Sequence, residues 1–453
     1  ETKTMNEKLS HPLHSPSNAD IIIVGGGLSG LAAATYAAKS GRPVTLFEKA
    51  SEPGGRAITK QRNGFSLNLG AHALYDQTEA GEILRELGVP YSGKEPPLLF
   101  ALAHDKLHIL PQSSLALLRT TLLDASAKLE LVRVQVAVMR VHKLTLEHVS
   151  LSEWLDQHVR HPQLRALLLM LARVTTYTNA PEMLSAALFV EMLRKVPHVL
   201  YLDGGWQTLV NGLRQAAQNA GVRIVTGARV VAIEHEERVQ GVRLAKGEFY
   251  PAEAVIVATD PAAASALVDN GEHAVLRRWT QEAVPSFVAC LDVALRRLPE
   301  PQHLGALSTE RPLYMVVHSA SARLAPERGA LIHTIRYLEP GESPDLKAVE
   351  QELEALLDRL QPGWQRELVE RQFLPHMNAT NAIVQARLGS QRGRPGPEVP
   401  GIRNLYVVGD WVGPAGQLTA AGLASARQAA HLACEQTLPQ SGAAEAAYNL
   451  VVE

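Results

Sequence analysis

The run IIIVGGGLSGLAAA, Ile21 to Ala34, leaves few folds open to this chain. Ile21 to Val24 is a short β-branched stretch stopped by glycine, the pattern of a buried parallel strand that feeds a tight turn. Gly25, Gly27 and Gly30 fill three small-residue positions. The first permits the sharp turn, the second lets backbone approach a pyrophosphate, and the third lets the next helix pack close to its strand. That helix is expected from about Leu28, with Ser29 and Gly30 in its first turn, so that free N–H groups and the positive dipole end face the phosphates. A bare GxGxxG is short, and an ordinary glycine loop also fits it. The context separates the two readings. A second strand, VTLFE, ends at Glu48, where a carboxylate accepts hydrogen bonds from ribose hydroxyls, and Lys49 follows it. Strand, loop, helix, strand and acid stand in the order of a dinucleotide-binding unit.

Beyond Glu48 come Gly54, Gly55 and Arg56, two glycines that allow close backbone approach and a guanidinium that neutralises phosphate charge. This segment resembles the E-x5-GGR signature of flavin-binding oxidoreductases. The chain is similar to the flavin amine oxidase and phytoene desaturase superfamily, which includes protoporphyrinogen oxidases and carotenoid desaturases. Later segments resemble the same superfamily in the same order. GFSLNLGAH looks like the strand whose end lies beside the flavin, bringing Leu69, Gly70, Ala71 and His72 to the cofactor. Gly204 and Gly205 precede an amphipathic helix, and Val230 matches the position whose backbone meets adenine. AVIVATDP places Ala258 against the pyrophosphate. NLYVVGDWVGPAGQLTAAGLA resembles the C-terminal flavin motif, with Gly409 and Asp410 at the ribityl or pyrophosphate region and a helix start at Leu418, Thr419 and Ala420 facing the pyrimidine end. The resemblance implies an α/β fold, a discontinuous Rossmann-type FAD-binding domain plus an α+β substrate domain with a helical cap. Neither cysteine, Cys290 or Cys434, lies where some amine oxidases link flavin covalently, so non-covalent FAD is expected.

A chain of 453 residues, 46% hydrophobic and 20% charged, is long enough for two domains and a large core. A net charge of -2, with no basic-aromatic stripe, argues against nucleic acid as a partner. The two cysteines lack metal-ligand spacing, so no metal site is expected and a reducing cytoplasm fits. Ile21 to Ala38 is uncharged, but its glycines make a turn, and charges interrupt every other apolar run. No transmembrane segment is therefore expected, while peripheral membrane contact at an apolar pocket mouth stays open, as does the oligomeric state.

The motifs divide the chain into alternating pieces. Residues 19–105, 200–275 and 395–436 are assigned to the FAD-binding domain, and 106–199 and 276–394 to the substrate domain. Residues 1–18 and 437–453 are expected to be tails, the first flexible. Between Leu107 and Val199 apolar residues recur at helical spacing. SFVACLDVAL, LYMVVHSA and ALIHTIRYL read as strands, and DLKAVEQELEALLDRL as an amphipathic helix.

Flavin oxidation requires neither nucleophile triad nor metal, because the cofactor accepts the hydride and the protein positions the donor carbon. His72 is a candidate to bond the flavin or accept a substrate proton, unless it satisfies local backbone groups. Tyr75 and Tyr177 are candidates for the substrate pocket, with core packing and a capping loop as the alternatives. On ALIHTIRYL, alternation sends His333 and Tyr337 to the face opposite Arg336, which makes Tyr337 a catalytic candidate and His333 a pocket residue. Trp411 either walls the cavity or packs in the core. The lysine that many amine oxidases hold near the flavin is absent from ALIHTIRYL, and VVGDWV looks nearer the desaturase branch. The expected reaction is C–C desaturation of a small apolar or amine substrate, with oxygen or a quinone-like electron acceptor. Amine or protoporphyrinogen oxidation, redox-neutral isomerisation, and flavin-free prenyl-protein binding as in GDP-dissociation inhibitors are the alternatives.

Overall fold

Ile21, Ile22 and Ile23 are fully buried, as a strand must be when both faces of a parallel sheet are covered. In the computed structural model, which describes residues 19–111, 113–195 and 198–436, strand Ala19–Val24 sits inside a seven-stranded sheet. Strands Val44–Phe47 and Arg223–Val225 run parallel to it on one side, Phe249–Val257 and Leu405–Val407 on the other. The start of Phe249–Val257 also pairs antiparallel with Val239–Leu244, which pairs in turn with Val230–His235. Helices Leu28–Lys39, Gln207–Asn219 and Thr419–Gln436 cover one face. Ala32, Ala33 and Ala34 lie fully buried in that layer, because only small side chains let these helices approach so closely. This is the Rossmann-type half, assembled from three stretches of chain. Both expected tails, 1–18 and 437–453, lie outside the described residues.

The second half is built on another seven-stranded sheet. Its order is Leu368–Thr380, Ser286–Leu295, Ala330–Tyr337, Leu313–Val317, Gly305–Ser308, Phe100–Ala103 and Lys106–Ile109. Hairpin Phe100–Ala103/Lys106–Ile109 straddles the boundary expected at residue 105. It belongs to the second sheet because Phe100–Ala103 pairs in parallel with Gly305–Ser308. Helix Leu346–Leu360 covers one face, burying Val349, Leu353, Leu356, Leu357 and Leu360 at the expected three- and four-residue spacing. The other face meets a helical layer of Ala125–Arg140, Leu151–His158, Pro162–Thr176 and Ala186–Arg194. Local chemistry starts these helices: Ser150 and Glu153 form a capping box, and Pro162 occupies a first-turn position. No helix among the described residues is long and apolar enough to cross a membrane.

Candidate functional site

The glycine turn is held by contacts that no side chain tolerates. Gly25 has φ +108°, and a Cβ there would stand 2.7 Å from the Ala258 carbonyl oxygen. Around Gly27, by contrast, a Cβ would meet nothing within 4 Å, and at Gly55 it would meet only the Gly27 Cα, at 3.6 Å. These two glycines line an open slot. The Gly54 N–H donates to the Gly26 carbonyl at 2.8 Å, which ties the second glycine loop to the first. Helix Leu28–Lys39 begins at this slot with Gly27 as its cap and no side-chain acceptor over its first turn.

Charge is arranged around the same slot. Buried Glu48 accepts from the Gly26 N–H at 2.6 Å and the Ala50 N–H at 2.8 Å. Its carbonyl accepts from the Ala228 N–H, which brings the segment leading to Val230 alongside, while Lys49 is exposed. Arg56 donates through Nη2 to Asp410 Oδ2 at 2.9 Å, and Asn381 donates to both Asp410 oxygens. Burial raises the Asp410 carboxyl, but the Arg56 charge and the Asn381 bonds outweigh it and leave it below the ordinary aspartate range. Gly409 donates to Ser425 Oγ at 3.1 Å, and a Cβ on Gly422 would lie 2.6 Å from Ser29 Oγ, so the Leu28 and Thr419 helices meet closely. Leu418 has φ +52° directly before the Thr419–Gln436 helix. Nearby, Arg394 Nη1 donates to the Gly416 carbonyl at 3.1 Å, and burial lowers its pKa to about 10 against the pull of Asp410. An open glycine slot, an uncapped helix start, a carboxylate at the strand end and a guanidinium form the donor set of a diphosphate-bridged dinucleotide. FAD fits these residues.

Past Gly70, which has φ +79°, the chain enters an aromatic wall. The His72 ring contacts the Gly70 carbonyl through Nδ1 at 3.0 Å and the Arg56 carbonyl through Nε2 at 3.1 Å, and leans on Trp206. Burial lowers its pKa more than those carbonyls raise it. Tyr177, left-handed at the end of Pro162–Thr176, meets Tyr337 edge-on at 6.2 Å. Tyr75 donates to the Thr175 carbonyl, and Tyr201 and Tyr314 share a hydroxyl bond of 2.9 Å. Burial raises all five phenols, Tyr201 to about 12. Tyr337 Oη is buried without a hydrogen-bond partner.

His333 lies opposite Asp292 in strand register, and its Nδ1 stands 2.6 Å from Asp292 Oδ1, both side chains fully buried. Gln372 binds the second Asp292 oxygen, while His333 Nε2 has no partner. His318 stands edge-on to His333 at 4.5 Å and against Tyr201 at 3.9 Å. Burial drives the His318 pKa well below the usual value, and the other two histidines add to the effect. Arg336 points the other way, to Glu342 and Glu352, as alternation requires. No group of His, Cys, Asp and Glu among the described residues is arranged to hold a metal.

Tyr75, Tyr177 and Tyr337 thus gather at one wall, and His333 lies further along the same face of strand Ala330–Tyr337, beside His318. Trp411 does not join them: its indole donates to the Thr259 carbonyl at 3.0 Å and packs against Trp279 in the sheet core. Tyr201, Tyr314, His318, Asp292 and Asn381 were not among the residues singled out from sequence. One signal pointed to Asp292, a lone charge in the apolar strand SFVACLDVAL.

The family model described as flavin containing amine oxidoreductase matches residues 28–434. A 4,4'-diaponeurosporene oxygenase from Staphylococcus aureus is 25% identical over 275 residues, 52% of this chain and 54% of that protein. The chain therefore spans about half the length of the curated relatives it matches. Putrescine oxidase, solved bound to putrescine, superposes with a TM-score of 0.70 at 17% identity, over 92% of this chain and 98% of that one. Cyclohexylamine oxidase from Brevibacterium oxydans gives 0.67 at 15% identity, over 93% and 99%. At these identities the two structures show a shared fold.

Proposed function

The chain belongs to the flavin containing amine oxidoreductase family and is an FAD-dependent oxidoreductase, and from that premise we propose that it oxidises the C–N bond of an apolar amine. This reading departs from the C–C desaturation expected from the motifs. The observation that carries it is the tyrosine wall, whose neighbouring carboxylate, Asp292, is already committed to His333 and Gln372. A buried aromatic surface binds an amine's carbon skeleton and disfavours its charged form, which leaves the nitrogen lone pair free. The solved putrescine and cyclohexylamine oxidases of the same fold support the reading.

FAD would be held by the Leu28, Ser29 and Gly30 N–H groups and Arg56 at the diphosphate, Glu48 at the ribose, Val230 at the adenine, and Asp410 with the Leu418–Ala420 turn toward the flavin. When bound, the cofactor supplies a hydride acceptor whose electrons go on to oxygen or a quinone-like acceptor. The carbon beside the nitrogen loses a hydride and the nitrogen loses a proton, leaving C=N. His333 takes that proton: Asp292 fixes the tautomer at Nδ1 and leaves Nε2 as a free acceptor. Tyr337, neutral because burial raises its phenol, orients the nitrogen with its unpartnered hydroxyl. His72 is a positioning residue, since both its nitrogens face backbone carbonyls.

The test is anaerobic mixing of the purified yellow protein with apolar amines, porphyrinogens and polyenes. Bleaching of the flavin band by amines alone is the expected result. Bleaching by polyenes alone would replace this reading with desaturation. With a responding amine, His333→Asn should slow bleaching by roughly 10²–10⁴-fold, the usual contribution of a positioned base.

A further inference from the structure

Nine of the twelve large apolar side chains standing exposed among the described residues fall between Leu98 and Leu144. Six of them, Leu115, Leu118, Leu129, Val132, Val136 and Met139, lie on helices Ser114–Arg119 and Ala125–Arg140. The longer helix has two apolar faces. Ala127, Leu131, Val134 and Val138 are buried in the helical layer over the second sheet. Leu129, Val132, Val136 and Met139 recur at three- and four-residue spacing on the outward side, where Met139 is 70% exposed. Lys128 Nζ donates to the Leu118 carbonyl at 3.2 Å, so the two helices present their apolar residues side by side. Leu118 is 75% exposed.

Charge selects what covers this face. Residues 106–143 hold Lys106, Arg119, Lys128, Arg133, Arg140 and Lys143 against only Asp124 and Glu130, in a chain whose net charge is -2. Both acids are occupied by backbone: Asp124 caps its helix at the Ala127 N–H, and Glu130 accepts from the Arg160 and His161 N–H groups. Arg119, Arg133 and Arg140 are exposed and form no ion pair with any described residue. At 100° per residue, Arg133 and Arg140 border one edge of the apolar stripe and Lys128 the other.

We propose that this face docks on an anionic lipid bilayer, with the apolar stripe entering the acyl boundary and the arginines reaching the headgroups. A second copy of the chain fits less well, because both edges of the stripe are cationic, so a two-fold contact through it would set cation against cation whether the paired helices run parallel or antiparallel. The proposal goes beyond the redox reading and does not depend on the substrate.

The test is cosedimentation of the FAD-loaded chain with phosphatidylcholine vesicles and with phosphatidylcholine–phosphatidylglycerol vesicles, at low and high salt. Binding should be strong on the mixed vesicles, weak on the neutral ones, and reduced by salt. Arg133→Gln with Arg140→Gln should lower the partition constant roughly thirtyfold, at about a factor of five per interfacial cation. Val132→Glu with Val136→Glu should abolish binding while leaving flavin absorbance and melting temperature unchanged. Leu118→Glu, on the other helix, repeats that test should the double variant fold poorly. Absence of binding to either vesicle, or equal binding by folded variants, would overturn the proposal. So would a lipid-independent dimer that the glutamates dissolve.

Discussion

At Gly30 a Cβ would sit 1.9 Å from the Gly25 carbonyl oxygen, a distance that no rotamer relieves because both partners are backbone. Gly30→Ala should therefore yield protein with little or no flavin, read as the ratio of flavin to protein absorbance after purification. His318 carries a prediction of another kind. Its folded pKa lies well below the usual 6.5, so above that pH both folded and unfolded chains hold it neutral and it changes nothing. As pH falls below 6.5 the unfolded chain gains a proton that the folded one refuses, and stability drops by up to about 1.4 kcal/mol per pH unit. His318→Asn should flatten the loss of melting temperature between pH 6.5 and 5. Residues such as Gly25, Glu48 and Arg56 stand out in sequence because short-range spacing marks them as one motif, although Arg56 finds its acid 354 positions away. Tyr201, Tyr314 and His318 do not, because Tyr201 meets the other two only through the packing of two separate sheets, across more than a hundred residues of sequence.

Whole elements are legible where one period governs them. Helix Leu346–Leu360 follows from its apolar stripe, and the structure buries that stripe against the second sheet. Leu353 is fully buried there, and Leu353→Ala should cost about 2–5 kcal/mol in denaturant unfolding with the flavin spectrum unchanged. Hairpin Phe100–Ile109 has no such period. Its strands are four residues each, and the neighbour of the first, Gly305–Ser308, lies some two hundred positions on, so nothing local marks which sheet it joins. Trp411 follows the same logic: its surroundings depend on Trp279 and Thr259, which pattern does not reveal.

At the scale of the molecule, the cofactor groove is lined by three stretches of chain that the parallel sheet already brings together, and a bound cofactor adds contacts to all three. FAD removal should lower the melting temperature, and free FAD at about a hundred times its dissociation constant should restore roughly 2.7 kcal/mol, measured by titrating the stripped protein. Equal melting of stripped and loaded protein would contradict the groove assignment. The bond from Arg56 to Asp410 spans 354 positions of sequence, and it sets a timetable as well as a geometry. A nascent chain still threading the ribosomal exit tunnel before Asp410 emerges has no acid to hold that guanidinium and no second helix beside Ser29. Colour should therefore arrive only once the last motif has emerged, and ribosome-stalled fragments ending upstream of it should stay colourless however much vitamin is supplied.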